Sequence, residues 1–312
     1  MSDLIKTVLK HFPMDKLELM SIISTAGRRY KTYKIPKRSG NGFRTIAQPA
    51  PEVKRIQRIV IEKVIGDWPI HEAATAYRKG MSIRDHAALH GNSKYLLKLD
   101  FSDFFPSISL ESVRKHISRN SSFSEQDSIL LASVLTWLDK QTGVRCLSIG
   151  APSSPFVSNS IMFDFDTVLH KYCTDRGVTY SRYADDLAFS TNCPKILSDV
   201  ERFAHNLVAS LNYPRLRFNE AKTINVSRRD RRVLVGLNIT PNGEVSIGRE
   251  RKRLIRAQVN CLAKGLPLQG DISSLRGMLA FIWSVEPKFI KALLEKYGDE
   301  VFKSLDLPFR RG

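Results

Sequence analysis

The sequence predicts an α+β protein. Three observations carry that class. Apolar residues recur at helical spacing near both ends of the chain, two β-rich segments double back on themselves, and one apolar strand ends in a carboxylate. Strands with intervening helices, followed by a helical C-terminal module, are the pattern of α+β folds.

Residues 3–12 read as a helix, with Leu4, Val8 and Phe12 four residues apart. Residues 31–48 read as a hairpin: Tyr33 and Ile35 lead into a Gly40-Asn41-Gly42 turn, and Phe43 to Ala47 lead out. Val53, Ile56, Val60 and Val64 predict a helix over 52–65, and Tyr95 to Phe101 predict a buried strand. Residues 111–140 are helical in tendency. Ser154 before Pro155 is the expected N-cap of a helix continued by Val157, Ile161 and Phe165. Residues 178–190 predict a second hairpin. Beyond 241 the spacing is helical again, over 249–262 and about 272–285.

Composition and charge narrow the function. At 312 residues, 42% hydrophobic and 26% charged, the chain has ordinary globular usage. No apolar run approaches the roughly 18 residues of a spanning helix. The N-terminus lacks a signal-peptide pattern, so a cytoplasmic protein is expected. Cys146, Cys173, Cys193 and Cys261 are widely spaced, which argues against a zinc site. The net charge of +18 is concentrated. Residues 28–58 hold ten Lys/Arg against Glu52 alone, and residues 215–256 hold twelve against four acids. Blocks of one sign suit a polyanion, and nucleic acid fits better than membrane because neither block forms a long amphipathic helix.

Asp185-Asp186 is the first chemical signal. Alone it is weak, since adjacent aspartates are common in turns. Its setting at the midpoint of a β-rich hairpin would push both carboxylates out of one end. Two adjacent like charges raise each other's pKa, and a divalent cation relieves that. Asp100 ends the apolar run Leu96, Leu97, Leu99, where a lone carboxylate is expensive to bury. A strand-end aspartate with an Asp-Asp turn is what two-metal phosphoryl transfer needs. No histidine or cysteine joins the cluster, against zinc hydrolysis.

These residues resemble a known family. Tyr183-Ala-Asp-Asp186 on a hairpin, Asp100-Phe-Ser-Asp-Phe-Phe-Pro-Ser107 upstream and Gly150-Ala-Pro-Ser-Ser-Pro155 between them resemble the reverse transcriptases, over roughly residues 28–240. The bacterial retron enzymes look most similar, through Arg182 to Leu187 and the C-terminal Arg276-Gly277 and Phe281 to Val285 segment. The resemblance implies a right-hand polymerase fold with fingers, an antiparallel palm sheet with helices, and a small helical thumb. Its expected parts are an N-terminal extension (1–30), fingers (31–94), palm (95–115 and 150–240), a helical insertion (116–149) and thumb (241–312).

The family pattern also implies roles. Asp100 and Asp185 would ligate two Mg²⁺ ions, with the Phe101 carbonyl on one and Asp186 as the looser carboxylate. Asp103 and Phe104 would offer N–H groups to nucleotide phosphates. Phe105 would exclude a ribose 2′-OH. Gly150, Ala151 and Pro152 would line the nucleotide site, and Lys37 and Arg44 would clamp the triphosphate. Lys222 would act as a general acid toward pyrophosphate or as a plain phosphate contact. Gly236, in Val235-Gly236-Leu237, matches the primer-grip hairpin. His86 and His90 would be either RNA contacts or satisfied structural histidines. Arg249, Lys252, Arg253 and Arg256 share a helix face that would follow a duplex backbone or lie solvated.

Retron enzymes tend to carry Asn-Ala-x-x-His, Val-Thr-Gly and Gln before Gly-Ala-Pro. Here His86 replaces the Asn, Val235 the Thr, and Ile149 the Gln. The resemblance implies as partners dNTPs, a structured noncoding RNA, its RNA–DNA hybrid product and a nearby-encoded effector or toxin, in anti-phage defence. The competing readings are another compact defence- or intron-type reverse transcriptase, and a catalytically idle RNA-binding scaffold.

Overall fold

In the computed structural model, which describes residues 3–37, 42–268, 270–303 and 305–307, the chain opens with helices α1 (Asp3–His11) and α2 (Lys16–Thr25). The Asp15 carboxylate caps α2 by accepting from the Leu17 and Glu18 N–H groups. A two-stranded antiparallel ribbon follows, β1 (Tyr30–Pro36) and β2 (Phe43–Pro49). Gly40 and Asn41 of its expected turn lie outside the described residues. Helix α3 (Pro51–Lys63) begins with proline in its first turn and buries Val53, Ile56, Ile59 and Val60. Each such side chain contributes about 1.5–3 kcal/mol by leaving water, an upper figure because unfolded chains are already compact. Helix α4 (Ile83–Ala88) is closed by a capping box between Ser82 and Asp85.

Strand β3 (Tyr95–Asp100) leads into α5 (Phe104–Ser107), α6 (Leu110–Asn120) and α7 (Glu125–Leu135). The helical tendency over 111–140 therefore resolves into two helices. Ser109 caps the first and Ser124 the second, each hydroxyl accepting a backbone N–H three residues on. The stretch ends in β4 (Trp137–Leu138), which pairs with β5 (Arg145–Cys146) instead of extending α7.

Helix α8 (Ser154–Ile161) has its cap at Ser153, one residue before the expected Ser154. Neither hydroxyl caps it: both are buried with no hydrogen-bond partner. Then come α9 (Phe163–Thr174), the hairpin β6 (Thr179–Tyr183) and β7 (Asp186–Thr191), α10 (Ile196–Ser210) and β8 (Ile224–Ser227). A three-stranded sheet of β9 (Arg232–Leu234), β10 (Leu237–Ile239) and β11 (Val245–Ser246) precedes four helices, α11 (Arg249–Ala263), α12 (Ile272–Val285), α13 (Pro287–Tyr297) and α14 (Asp299–Lys303).

The central sheet has four strands in the order β6-β7-β3-β8, all antiparallel. Its two faces feed different cores. Leu97, Leu99, Leu187 and Phe189 point into the larger core, shared with α1–α3 and α6–α10. Leu96 and Ala188 point the other way, into the core of the C-terminal helices and the β9-β10-β11 sheet. Side chains alternate along a strand, so Leu96, Lys98 and Asp100 share this second face. Burial of β3 on both faces explains why its sequence reads as one apolar run. Among the described residues, no helix is long and apolar enough to cross a membrane.

Candidate active site

The site forms where β3 ends beside the β6–β7 turn. Asp100 lies directly opposite Asp186 in the β3–β7 register, and Tyr183 pairs with Asp186 to close a two-residue turn of Ala184 and Asp185. Ala184 has a left-handed backbone, φ +56°. The Phe101 N–H donates to the Asp185 carbonyl at 3.0 Å, which fixes the turn against the end of β3. The three carboxylates are thus gathered by strand register and one tight turn.

Two lysines stand against them. Lys98 Nζ lies 3.0 Å from Asp186 Oδ1, and Lys222 Nζ lies 2.7 Å from Asp100 Oδ1. Lys98 is on the same strand face as Asp100, two residues back. Lys222 arrives on a short 3₁₀ turn, Glu220–Lys222. The chain before it runs antiparallel to the end of β3, with Asn219 N–H on the Asp100 carbonyl and Ser102 N–H on the Arg217 carbonyl. Burial raises the Asp185 pKa, and the Asp100 charge adds to the rise. Burial pushes Asp186 up to about 6, opposed by the Lys98 ammonium. The site penalises charge chiefly by burial, eased by Lys98, Lys222 and Arg44. Its donors are all hard oxygens, which suits Mg²⁺ or a similar divalent ion. No three His, Cys, Asp or Glu side chains among the described residues form a finished metal cage, and Asp100 and Asp186 are each turned onto a lysine.

Beside the carboxylates lies a cleft of about 290 Å³, lined by Phe105, Gly150, Ala151 and Pro152 together with Lys54 and Tyr77. Phe105 and Phe104 divide their roles. Phe104 is buried and stacks on Phe101 at 5.8 Å, whereas Phe105 faces the cleft. Asp103, at φ +45°, turns the chain sharply into α5. It is exposed and lines a neighbouring cleft with Arg215 and Arg217.

The β1–β2 ribbon docks on this cleft through the Ala47 N–H, which donates to the Ile149 carbonyl at 2.9 Å. Gly150, at φ +127°, is required there, since a Cβ would sit 2.9 Å from the Ala47 carbonyl oxygen. Ile35 pairs with Arg44, so Lys37, two residues on, lies on the Arg44 face of the ribbon. Both cations are exposed. Arg44 is near enough for its charge to oppose the upward shift at Asp185. Gly236 occupies the β9–β10 turn at φ +81°, after Val235 at φ +45°.

Two expectations are corrected. His86 and His90 are fully buried and cannot touch nucleic acid in this structure. His90 bridges Ser190 (2.8 Å) and Ser181 (2.7 Å), and His86 reaches Thr75 (2.8 Å). They pin α4 and the turn after it to the back of the β6–β7 hairpin, the structural alternative. On α11, Arg249, Arg253 and Arg256 are exposed, but Lys252 is half-buried and paired with Glu286. A lysine engaged in that way is not a free phosphate contact.

Lys98, Tyr77, Asn159 and the pair Arg182–Asp166 were not singled out from sequence. Arg182 carried a signal, since a guanidinium in mid-strand must find an acid if it is buried. Asp166 supplies it, with Nη2 to Oδ2 at 2.6 Å and both side chains fully buried.

Comparison with known proteins agrees with this geometry. Residues 35–240 match the family described as reverse transcriptase (RNA-dependent DNA polymerase). The chain is 40% identical to the retron Ec83 reverse transcriptase of Escherichia coli, over 97% of each chain. It is 32% identical to the retron Ec86 enzyme of the same organism, over 90% of this chain and 86% of that one. The apo telomerase of Candida tropicalis superposes with a TM-score of 0.51 at 13% identity, over 90% of this chain and 59% of that chain. That last likeness shows the fold alone. The chain belongs to the reverse transcriptase family and is an RNA-directed DNA polymerase. Within that family it is of the retron type.

Proposed function

We propose that the polymerase makes a branched, RNA-linked single-stranded DNA from its own structured noncoding RNA. It would start DNA at a 2′-OH of one guanosine, copy a short segment and keep the hybrid bound. The observation that carries nucleotidyl transfer is the in-register pair Asp100–Asp186 with Asp185 in the adjoining turn, beside a cleft faced by Phe105; the 40% identity to a retron enzyme supports the branched product.

Asp100 and Asp185 would hold two Mg²⁺ ions, with Asp186 as the looser ligand and the Phe101 carbonyl on one of them. When bound, the ions would activate the attacking hydroxyl and stabilise the leaving pyrophosphate. Lys98 and Lys222 pair with Asp186 and Asp100 and would yield those oxygens to the ions. Lys37 and Arg44 would neutralise the triphosphate from one ribbon face, while the N–H groups of Asp103 and Phe104 orient it. Lys222 would then meet the pyrophosphate. Phe105 would exclude a 2′-OH, and Gly150 to Pro152 would form the opposite wall. The Gly236 turn and the exposed arginines Arg249, Arg253 and Arg256 would follow the duplex. RNA recognition would rest on shape and 2′-OH groups. The proposal extends to a cytoplasmic protein acting in anti-phage defence with an effector or toxin encoded nearby.

The test is the nucleic acid that copurifies when the chain is expressed with its native flanking DNA, run beside Asp185→Asn on a denaturing gel. A discrete single-stranded DNA that shifts on debranching, and is missing in the variant, is expected. RNA alone in both samples would refute the branched product. DNA synthesis undiminished in Asp185→Asn would refute the site.

A further inference from the structure

Three segments far apart in sequence meet at one buried amide. Asn159, on α8, is 1% exposed. Its Nδ2 donates to the Ala76 carbonyl at 2.9 Å, and its Oδ1 accepts from Arg182 Nη1 at 3.1 Å. The same Nη1 donates to the Ala184 carbonyl at 3.0 Å. Only this orientation of the amide pairs its donor with a carbonyl and its acceptor with a guanidinium.

Both ends of the chain of bonds lead to strained backbone. Ala76 precedes Tyr77, whose φ is +63°, and Ala184 itself lies at φ +56°. A bulky residue in the left-handed region persists only where its surroundings impose it, and such strain gathers at functional sites. The Tyr77 ring is exposed into the cleft that Phe105 and Pro152 line, 6.5 Å from the Tyr183 ring. Ala184 carries Asp185. One side chain therefore bonds the peptide just before the Tyr77 ring and shares the Arg182 Nη1 that holds the Ala184 carbonyl.

We propose that Asn159 is a positioning residue that couples the nucleotide cleft to the catalytic turn. The inference rests on the site reading above and deepens it. Asn159 acts through Tyr77 on one side and through Arg182 on the other. Arg182 does not depend on Asn159 for its charge balance. Asp166 takes both its Nε (2.9 Å) and its Nη2 (2.6 Å). Removing Asn159 leaves that ion pair in place, so the coupling can be tested apart from the fold.

The two arms separate by substitution. Asn159→Asp keeps an acceptor for Arg182 but turns a carboxylate oxygen onto the Ala76 carbonyl. Asn159→Ala removes both bonds. Tyr77→Gly deletes the ring while glycine accepts the positive φ without strain. Binding of a dNTP with Mg²⁺ is measured on a complex with a dideoxy-terminated primer on RNA template, where no chemistry can follow, and kcat is measured on an extendable primer.

All three variants are expected to raise the dNTP Kd about tenfold, and only Asn159→Ala to lower kcat by a further factor of about ten. A lowered melting temperature with Kd and kcat within about twofold of the parent would make Asn159 a structural residue only and overturn the proposal. An unchanged Kd in Tyr77→Gly would remove the cleft arm. A parent complex that binds no dNTP would overturn the site reading and this inference with it. A parent that binds, beside Asn159 variants that bind alike, would overturn this inference alone.

Discussion

Phe104 and Phe105 are neighbours of one chemical type with opposite fates. Phe104 stacks into the core between Phe101 and its surroundings, and Phe105 faces the cleft. The gate reading therefore belongs to Phe105. Phe105→Ala should raise ribonucleotide incorporation, measured as the dNTP/rNTP ratio of kcat/KM. A loss of at least tenfold in that ratio is expected, equal to about 1.4 kcal/mol of discrimination. An unchanged ratio would strip Phe105 of the role. At the same scale, Lys98 is a residue whose importance lies in what it faces. Its two-residue spacing from Asp100 was visible in the sequence, but its pairing with Asp186 required the neighbouring strand.

At the scale of the element, α11 shows why a helical wheel is not an interface map. Arg249, Lys252, Arg253 and Arg256 lie on one side of the helix, yet α13 packs against part of that side. Glu286 pairs with Lys252, and the Arg256 guanidinium lies 5.0 Å over the Phe289 ring. Two different outcomes are expected. Arg249→Ala with Arg253→Ala should lower the slope of log K against log salt for nucleic-acid binding by about 2. Lys252→Ala should leave that slope nearly unchanged and instead destabilise the C-terminal helices, because the half-buried Glu286 would lose its cation while still accepting from the Ile247 N–H. A slope change in Lys252→Ala equal to that of one arginine would contradict the assignment. The β6–β7 hairpin makes the complementary point: its register alone brings Asp186 across from Asp100, so a two-residue turn does the work of assembling the site.

At the scale of the whole molecule, two large cores lie on either side of the central sheet, beside a small one of Ala47, Trp137 and Cys146, and His86, His90 and His116 are buried. Burial lowers the pKa of His86 to about 4, of His90 to about 3 and of His116 to about 4, from an ordinary 6.5. In the unfolded chain each takes a proton below that ordinary value. Stability from these rings is therefore fully present above pH 6.5 and is lost as pH falls toward about 4. By linkage each costs about 2 kcal/mol at pH 5. Urea unfolding at pH 7 and pH 5 should show a drop of several kcal/mol. His116→Gln should shrink that drop by about 2 kcal/mol, since His116 sits against Ser160 and Trp68, with the Asp164 charge only partly opposing its burial. Equal stability at the two pH values would show that the rings are not held neutral.

Although α2, α4, α10 and α13 were not read from it, the sequence by itself determined the class, the two hairpins, other helices such as α1, α3, α11 and α12, and the three aspartates. Their physical signals are local: alternation in strands, four-residue spacing in helices, and an acid set at the end of an apolar run. Even locally it was incomplete, as the cap of α8 and the break within 111–140 show. Burial and partnership were beyond it. His86 and His90 are four residues apart, a spacing that suits a ligand or an RNA contact as well as a core, although His90 lies in the turn after α4. Only the packing of α4 on the back of the β6–β7 hairpin made them structural. Asn159, Asp166, Tyr77 and Lys98 were unmarked for the same reason. Their partners, Ala76, Arg182, Phe105 and Asp186, lie 16 or more residues away. Hydrogen bonds and ion pairs act over a few ångströms in space, whatever the separation along the chain, so the fold decides which polar groups meet.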